Sequence, residues 1–536
     1  FRASNSQVVT NSVLANGSWY RFEVDKSGVH ILNKSFLSQL GINVNNVDPR
    51  NIKIFGYGGM MMPYNNVANF PFDPIENAIK VVGETDGVFN DSDYILFYAQ
   101  GPSADVDNVS INTNINPYSD KTFYYVNVSS GNGKRIQNYI QPTGTISATF
   151  NTFHDYKFHE VDERNLVFVG RRWFGEEFNV ENSQSFSFDF PNLVPSEPVR
   201  VKVHTAAAAS NNTTFAVTVN GSQVGTITHS SSNPGDGVYA SGGSLNQNVT
   251  VSSSTVNVGL TYNNQGNPSA NAYLDYVSVE AVRDLSFSGN QFKFFNRLAF
   301  QGSGVASYSL SNASQVQEIW NITDLYNVSS ISNEGNATIT FNTNLGSENK
   351  FVAVTSQNYY SPIVPQNTFV GNQNLKGTIF LDNNGNFQDI DYLMLTTGSH
   401  LGQAQRLAQI NRDKYGLNVK VVTLGSIYKE FATGNPDIVA IRNFVKYVYD
   451  NASSPENKVK YLCLFGDSSF DYKGRISSNA YNFPTWNAYS SFNLTNSFIS
   501  DDFHGYLDLG EGNLDAYNSA NKLDVAVGRI VADSPQ

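Results

Sequence analysis

Apolar and polar positions alternate with a period of two through most of this chain, the mark of half-buried strands, and only beyond Asp391 does the pattern lengthen to helical spacing. In Trp19-Tyr-Arg-Phe-Glu-Val24, Tyr20, Phe22 and Val24 fall on one side of a strand and Arg21 and Glu23 on the other. Lys26-Ser-Gly28 then turns the chain before Val29-His-Ile-Leu32, which reads as a hairpin. Asn51-Ile-Lys-Ile-Phe55, Asp93-Tyr-Ile-Leu-Phe-Tyr98 and Thr122-Phe-Tyr-Tyr-Val-Asn-Val128 read as further strands, and only Ser35-Phe-Leu-Ser-Gln-Leu40 as a helix. Residues 1–165 are therefore expected to form a β-rich domain.

Residues 166–284 carry short alternating runs, Ser185-Phe-Ser-Phe-Asp-Phe190, Val199-Arg-Val-Lys-Val203, Thr214-Phe-Ala-Val-Thr-Val219 and Ala272-Tyr-Leu-Asp-Tyr-Val-Ser-Val-Glu280. Asn220-Gly221 supplies a tight turn because both residues tolerate positive φ. A jelly-roll-like β-sandwich is predicted here. Residues 285–387, with Gln317-Glu-Ile-Trp-Asn-Ile322 and Ala337-Thr-Ile-Thr-Phe341, predict a small β domain or linker.

From 388 to 536 the reading changes to strand, helix, strand, helix, strand. Tyr392-Leu-Met-Leu-Thr396 is an unbroken apolar run, as in a strand covered on both faces. Leu401, Ala404, Leu407, Ala408 and Asn411 mark a helix face that ends at Tyr415-Gly416. Val419-Lys-Val-Val422 is the next strand, Asp437 caps a helix striped by Ile438, Ile441, Phe444, Val445 and Val448, and Val459-Lys-Tyr-Leu-Cys-Leu-Phe465 follows as a buried strand. This alternation predicts a parallel sheet with crossover helices.

At roughly 150 residues per domain, 536 residues make about three to four domains, each able to bury a core. One Cys excludes an internal disulfide and a Cys-rich zinc site. A net charge of −12 and a pI near 5.1 argue against a phosphate-backbone partner, so nucleic acid is not expected. No apolar run is long enough to span a bilayer. The start at Phe1 without an initiator Met, the low charged fraction (15%) and the aromatic content (13%) fit a β-rich exported protein whose signal peptide has been removed.

In an open parallel sheet, groups just past the carboxyl ends of strands converge on one crevice. Three segments meet that condition: Thr397-Gly-Ser-His400, Gly466-Asp467-Ser468 and the acidic run from Asp501. Gly466 lets the chain leave the sheet sharply and Asp467 then presents a carboxylate, although spacing alone favours a capped turn. A lone His400 in a strand-to-helix loop reads as a helix-start or surface residue. Asp501, Asp502, Asp508 and Glu511 have the oxygen chemistry calcium accepts, but no EF-hand spacing, and a solvated acidic loop is the simpler reading. Cys463, inside an apolar strand, reads as a buried structural thiol. His154 and His159, five apart on an extended segment, face opposite ways and make poor metal partners, and Gly56-Tyr-Gly-Gly59 lacks the third Gly and the helix of a dinucleotide site. Trp173 is either core or a ring on which a sugar could stack, with packing favoured.

Leu462-Cys-Leu-Phe-Gly-Asp467, then Ser500-Asp-Asp-Phe-His-Gly-Tyr-Leu-Asp-Leu-Gly-Glu-Gly512, then Asp524-Val-Ala-Val-Gly-Arg529 resemble, in that order, the opening half of a gingipain-type cysteine peptidase domain. The sandwich with Gly170-Arg-Arg-Trp-Phe-Gly-Glu-Glu177 ahead of it is similar to the sortase branch of that family, which serves type IX secretion. The resemblance implies a caspase-like α/β fold and a Cys-His dyad that forms an acyl-enzyme. It further implies removal of the C-terminal signal domain of secreted cargo and transfer of the cargo to lipopolysaccharide, on the extracellular face of the outer membrane. Expected partners are a PorV-like outer-membrane barrel, other subunits of the attachment complex, the cargo and the lipopolysaccharide acceptor. No cofactor is required, and calcium is the one ion allowed for. The family's dyad has no matching position here and is expected beyond Gln536, so the chain alone is expected to be inactive. Asp467 and Asp501 match motif positions and are expected to shape the site. The family usually has Tyr at the position of His504, and no role transfers to it. The alternative is a non-catalytic surface module whose sandwich binds carbohydrate or protein.

Overall fold

The computed structural model describes residues 11–106, 112–476, 483–516 and 518–534. The amino-terminal domain stacks two small sheets. Ser18–Val24 runs antiparallel to Thr122–Val128 in a five-stranded sheet, whereas Gly28–Asn33 joins Tyr94–Ala99 in a three-stranded one. The hairpin expected at Lys26-Ser-Gly28 is thus not formed. The two strands bury Phe22, Val24 and Leu32 against each other's sheets, with Ile54, Phe97, Tyr124 and Val126 between them, and the turn carries the chain from one layer to the other. The expected helix is present as Lys34–Gln39, its Asn33 side chain accepting from Phe36 N at 2.9 Å.

The sandwich has nested pairing. Thr152–Glu160 pairs with Asn271–Asp284, Ser183–Asp189 with Thr255–Asn263, Val199–Ala208 with Ser241–Val249, and Thr213–Val219 with Ser222–His229. First-with-last pairing of this kind, split over two sheets, is a jelly roll. Its core is the alternate inward residues, among them Phe186, Val201, Val203, Phe215, Val217, Val258, Leu260, Val277 and Val279. The sheet does not stop at the boundaries drawn from sequence. Thr152–Glu160, from the first unit, lies beside Asn271–Asp284, and through Phe292–Phe295 and Lys350–Thr355 the same ten-stranded sheet continues into the third unit. There it packs on a three-stranded sheet of Ile146–Phe150, Val305–Leu310 and Ile339–Asn344 around Phe294, Tyr308, Phe341 and Phe351.

The carboxyl-terminal part is a four-stranded, all-parallel sheet: β1 (Tyr392–Thr396), β2 (Val419–Thr423), β3 (Tyr461–Phe465) and β4 (Ala526–Ile530), in the order β2-β1-β3-β4. Helix α1 (Leu401–Tyr415) ends at Gly416, whose φ of 66° is the left-handed cap that Tyr415-Gly416 foretold. Helix α2 (Leu424–Phe431) was not foreseen, because it follows β2 without a loop. Helix α3 (Ile438–Asp450) is capped by Asp437, which accepts from Val439 N at 2.8 Å. The two faces of the sheet are covered differently. Leu393, Leu395, Leu462 and Leu464 meet α2 and α3, while Met394, Cys463 and Phe465 meet Ala404 of α1.

The far side of α3 is covered by the amino-terminal domain itself. Met62, Tyr64 and Tyr118 belong to the α/β core, with Met60, Phe70 and Phe72 packed around them. Met62 N donates to Asp437 at 2.9 Å, and the fully buried Arg442 donates to the carbonyls of Tyr64 and Pro63 and lies 4.7 Å from the Phe503 ring. Burial, against the attraction of Asp437, lowers the Arg442 guanidinium to about 9. The parallel sheet is therefore built into the β region rather than tethered to it. Among the described residues no helix is long and apolar enough to cross a membrane.

Candidate active site

Strand order reverses between β1 and β3, so the crevice of the sheet opens past their carboxyl ends. The two ends are tied by Thr396 Oγ1, which donates to Phe465 O at 3.0 Å in full burial. Gly466 then turns out of the sheet at φ 147°, where glycine is favoured, and donates to Ile530 O at 3.0 Å. Asp467 follows, half-buried. Its Oδ1 accepts from Ser468 N at 2.7 Å, and its backbone bonds Ala532 and Phe483.

Asp501 reaches the same place from the other side. Arg529, on β4, grips it with two bonds, Nε to Oδ2 at 2.8 Å and Nη2 to Oδ1 at 2.6 Å, and its Nη1 donates to Gly466 O at 2.8 Å. Thr485 Oγ1 lies 2.5 Å from Asp501 Oδ1 and 2.9 Å from Ser500 O. Burial raises the Asp501 carboxyl, but the Arg529 guanidinium and the Thr485 hydroxyl outweigh it and leave the group below the usual carboxylate range, so it is ionised. The crevice wall is thus a fixed, charge-balanced Asp501–Arg529 pair locked to the β3 exit, with Asp467 beside it. Such a wall can orient a substrate and hold local charge. It offers no nucleophile.

His400 begins α1 in full burial, with Nδ1 2.8 Å from Thr397 Oγ1 and 3.1 Å from Ser399 Oγ. His504 is buried as well, against Phe503; burial, against the attraction of Asp501 and the backbone of Pro484, lowers it to about 4 and keeps it neutral. Cys463 is 4% exposed among Met394, Ala404 and Phe465, and burial raises its thiol against the opposing effects of Tyr392 and Arg529. It is a packing residue. His154 stacks on Phe295 and His159 pairs with Glu176 at 2.6 Å, each with its own neighbours.

In the acidic run, Glu511 is buried and engages both oxygens with backbone amides, those of Asp508 at 3.0 Å and Lys522 at 2.9 Å, so it closes its own loop. Asp508 is exposed, and Asp502 N donates to Ser500 Oγ at 3.3 Å. Among the described residues no three His, Cys, Asp or Glu side chains gather as a metal site. Trp173 is 4% exposed, stacked on Phe470 at 5.7 Å with Arg475 over its ring at 4.9 Å, so it packs and presents no platform for a sugar. Arg529 and Thr485 were not anticipated as site residues. Arg529 lies inside the quoted Asp524-Val-Ala-Val-Gly-Arg529 mark, and a buried carboxylate such as Asp501 calls for a cation.

Residues 386–536 match Peptidase family C25. Dimeric latent PorU from Porphyromonas gingivalis is similar over 99% of this chain and 49% of its own, with 23% identity and a TM-score of 0.79, so the chain spans about half the length of that protein. Carbohydrate-binding module CBM36 in complex with calcium and xylotriose (16% identity, 23% of this chain, 98% of that one, TM-score 0.16) and CBM35 from Cellvibrio japonicus Abf62 (13%, 24%, 97%, 0.16) also match, at TM-scores too low to carry an argument. No curated protein matches. The parallel-sheet region at residues 386–536 is therefore similar to Peptidase family C25, and the chain as a whole has a PorU-like fold.

Proposed function

We propose that this chain is the amino-terminal part of a cell-surface cysteine peptidase of the type IX secretion sortase kind. The complete protein would remove C-terminal signal domains from cargo and pass the cargo to lipopolysaccharide, docked on a PorV-like barrel with other attachment-complex subunits at the outer face of the outer membrane. One observation carries the reading: the C25 match coincides with the parallel sheet whose crevice holds Asp467 and Asp501, on a fold shared with PorU over 99% of this chain and 49% of that one. The thiolate and imidazole such chemistry needs would come from polypeptide beyond Gln536. Asp467 and Asp501 would shape the crevice they enter.

Cells lacking the gene are expected to accumulate cargo that keeps its C-terminal domain and stays off the surface lipopolysaccharide. Normal cargo processing in such cells would defeat the reading. The 536-residue chain alone is expected to leave casein and fluorogenic peptides uncut. Turnover that vanishes in Cys463→Ala would place the nucleophile in this chain after all.

A further inference from the structure

The sandwich and the candidate crevice meet at the loop that starts Gly170-Arg-Arg-Trp173. Gly170 stands at φ 84°, and a Cβ there would lie 1.9 Å from Ser490 O, so this loop is pressed backbone to backbone against the segment that leads to Asp501. Arg171 N donates to Ala488 O at 2.9 Å. Its side chain, 4% exposed, forms a two-pronged ion pair with Asp515 and donates from Nη1 to Asn487 O at 2.7 Å. Its guanidinium lies over the rings of Tyr64, Trp486 and Tyr489 at 5.1, 5.7 and 5.6 Å. Only a planar, permanently charged fork satisfies that carboxylate, that carbonyl and those three rings together.

The contacts continue to the crevice. Trp486 and Asn487 pair antiparallel with Ser500 and Ile499, Asp501 is the next residue, and Thr485 bonds both Ser500 O and Asp501. Asp501 is gripped by Arg529, which holds Gly466 O at the exit of β3. We infer that Arg171 is a positioning residue: beside the backbone contacts of Gly170 and Arg172, its side chain fixes the near end of the 486–501 segment and with it the Asp501 wall of the crevice. The inference rests on the peptidase reading for its consequence, though not for its geometry. A misplacement of about 1 Å at such a wall is enough to cost on the order of 100-fold in rate.

Hydrogen exchange on this chain tests the geometry without any activity. Arg171→Lys is expected to speed exchange of amides 486–501 by about tenfold or more, and Asp515→Asn to do the same at the amides other than that of Tyr489, which donates to Asp515 directly, leaving strands Val199–Ala208 and Asn271–Asp284 at wild-type rates. Arg283→Lys, which disturbs the separate pair with Asp155, is the control and is expected to leave 486–501 unchanged. Ethylguanidinium added to Arg171→Ala is expected to restore protection of 486–501, which a general loss of stability would not permit. Wild-type exchange at 486–501 in both variants, or equal loosening of the whole chain, overturns the inference. In the longer peptidase, assayed on a fluorogenic tripeptide library, Arg171→Lys is expected to lower kcat about tenfold or more with KM within about twofold. Unchanged kcat together with a loosened segment also overturns it. A wild-type protein without peptidase activity sinks the reading it rests on, and the exchange result still decides the geometry.

Discussion

Asp501 shows how a single residue can be legible in a sequence while its environment is not. Its place in the Ser500-Asp501 mark was readable, but its partner lies 28 positions later on another strand, and nothing local couples the two. Because Arg529 holds the Asp501 carboxyl below its usual range, the pair's stabilisation is complete above the unfolded pKa, about 4, and is lost as pH falls through the lowered folded value. Arg529→Lys keeps the charge but loses the two-pronged grip and the bond to Gly466 O. It is expected to cost about 1–3 kcal/mol by urea denaturation at pH 7 and to shrink the stability difference between pH 7 and pH 3. A variant with the wild-type midpoint at both pH values would show the grip to be ornamental. His504 is the counterpart: its full burial has no signal in the sequence, since its neighbours Phe503 and Gly505 describe an ordinary loop.

Elements were legible where their signals are local. The unbroken Tyr392–Thr396 run, the Asp437 cap and the Tyr415-Gly416 stop each encode their structure within a few residues. The pairing of Thr152–Glu160 with Asn271–Asp284 was not legible, because alternation says which face a strand buries and not which strand lies beside it. The same limit explains the missing hairpin after Val24. Close approach is equally silent, and Gly170 measures it. Gly170→Ala must relieve both a left-handed backbone and a Cβ 1.9 Å from Ser490 O, whereas Gly221, at φ 83° with nothing within 4 Å, would pay only for its backbone. Gly170→Ala is therefore expected to lose about 2–4 kcal/mol and Gly221→Ala about 1 kcal/mol in urea unfolding. Equal losses would mean that the 490–491 backbone yields freely.

At the scale of the whole molecule, the first two β parts and the α/β part meet around one charged junction. Asp275 of the sandwich pairs with Arg172 at 2.7 Å, Asp162 with Arg475 at 2.9 Å and Asp120 with Lys473 at 2.6 Å. Glu160 sits among them with hydrogen bonds but, among the described residues, no paired cation. Thr113 Oγ1 meets its Oε1 at 2.5 Å, and the Asn114 backbone and side-chain nitrogens donate to Oε2 at 2.7 and 2.8 Å. Burial, with repulsion from Asp162 and Asp275, raises the Glu160 carboxyl to about 8, beyond what Thr113 and Asn114 offset. The protonated form fits the site, since Thr113 can donate to Ile115 O and accept from Glu160. Glutamine fits in the same way, its amide NH2 facing Thr113 and its oxygen facing Asn114. For a carboxyl raised by folding, stability is complete below the unfolded pKa and is lost as pH rises through the folded value, here between about 4.5 and 8. Glu160→Gln cannot ionise and escapes that loss. It is expected to match the wild type near pH 5 and to exceed it by about 2–4 kcal/mol at pH 9, read from urea unfolding across that range. Parallel stability curves for the two proteins would mean that Glu160 is already ionised at neutral pH, and that the junction between the β region and the crevice-bearing sheet tolerates its charge.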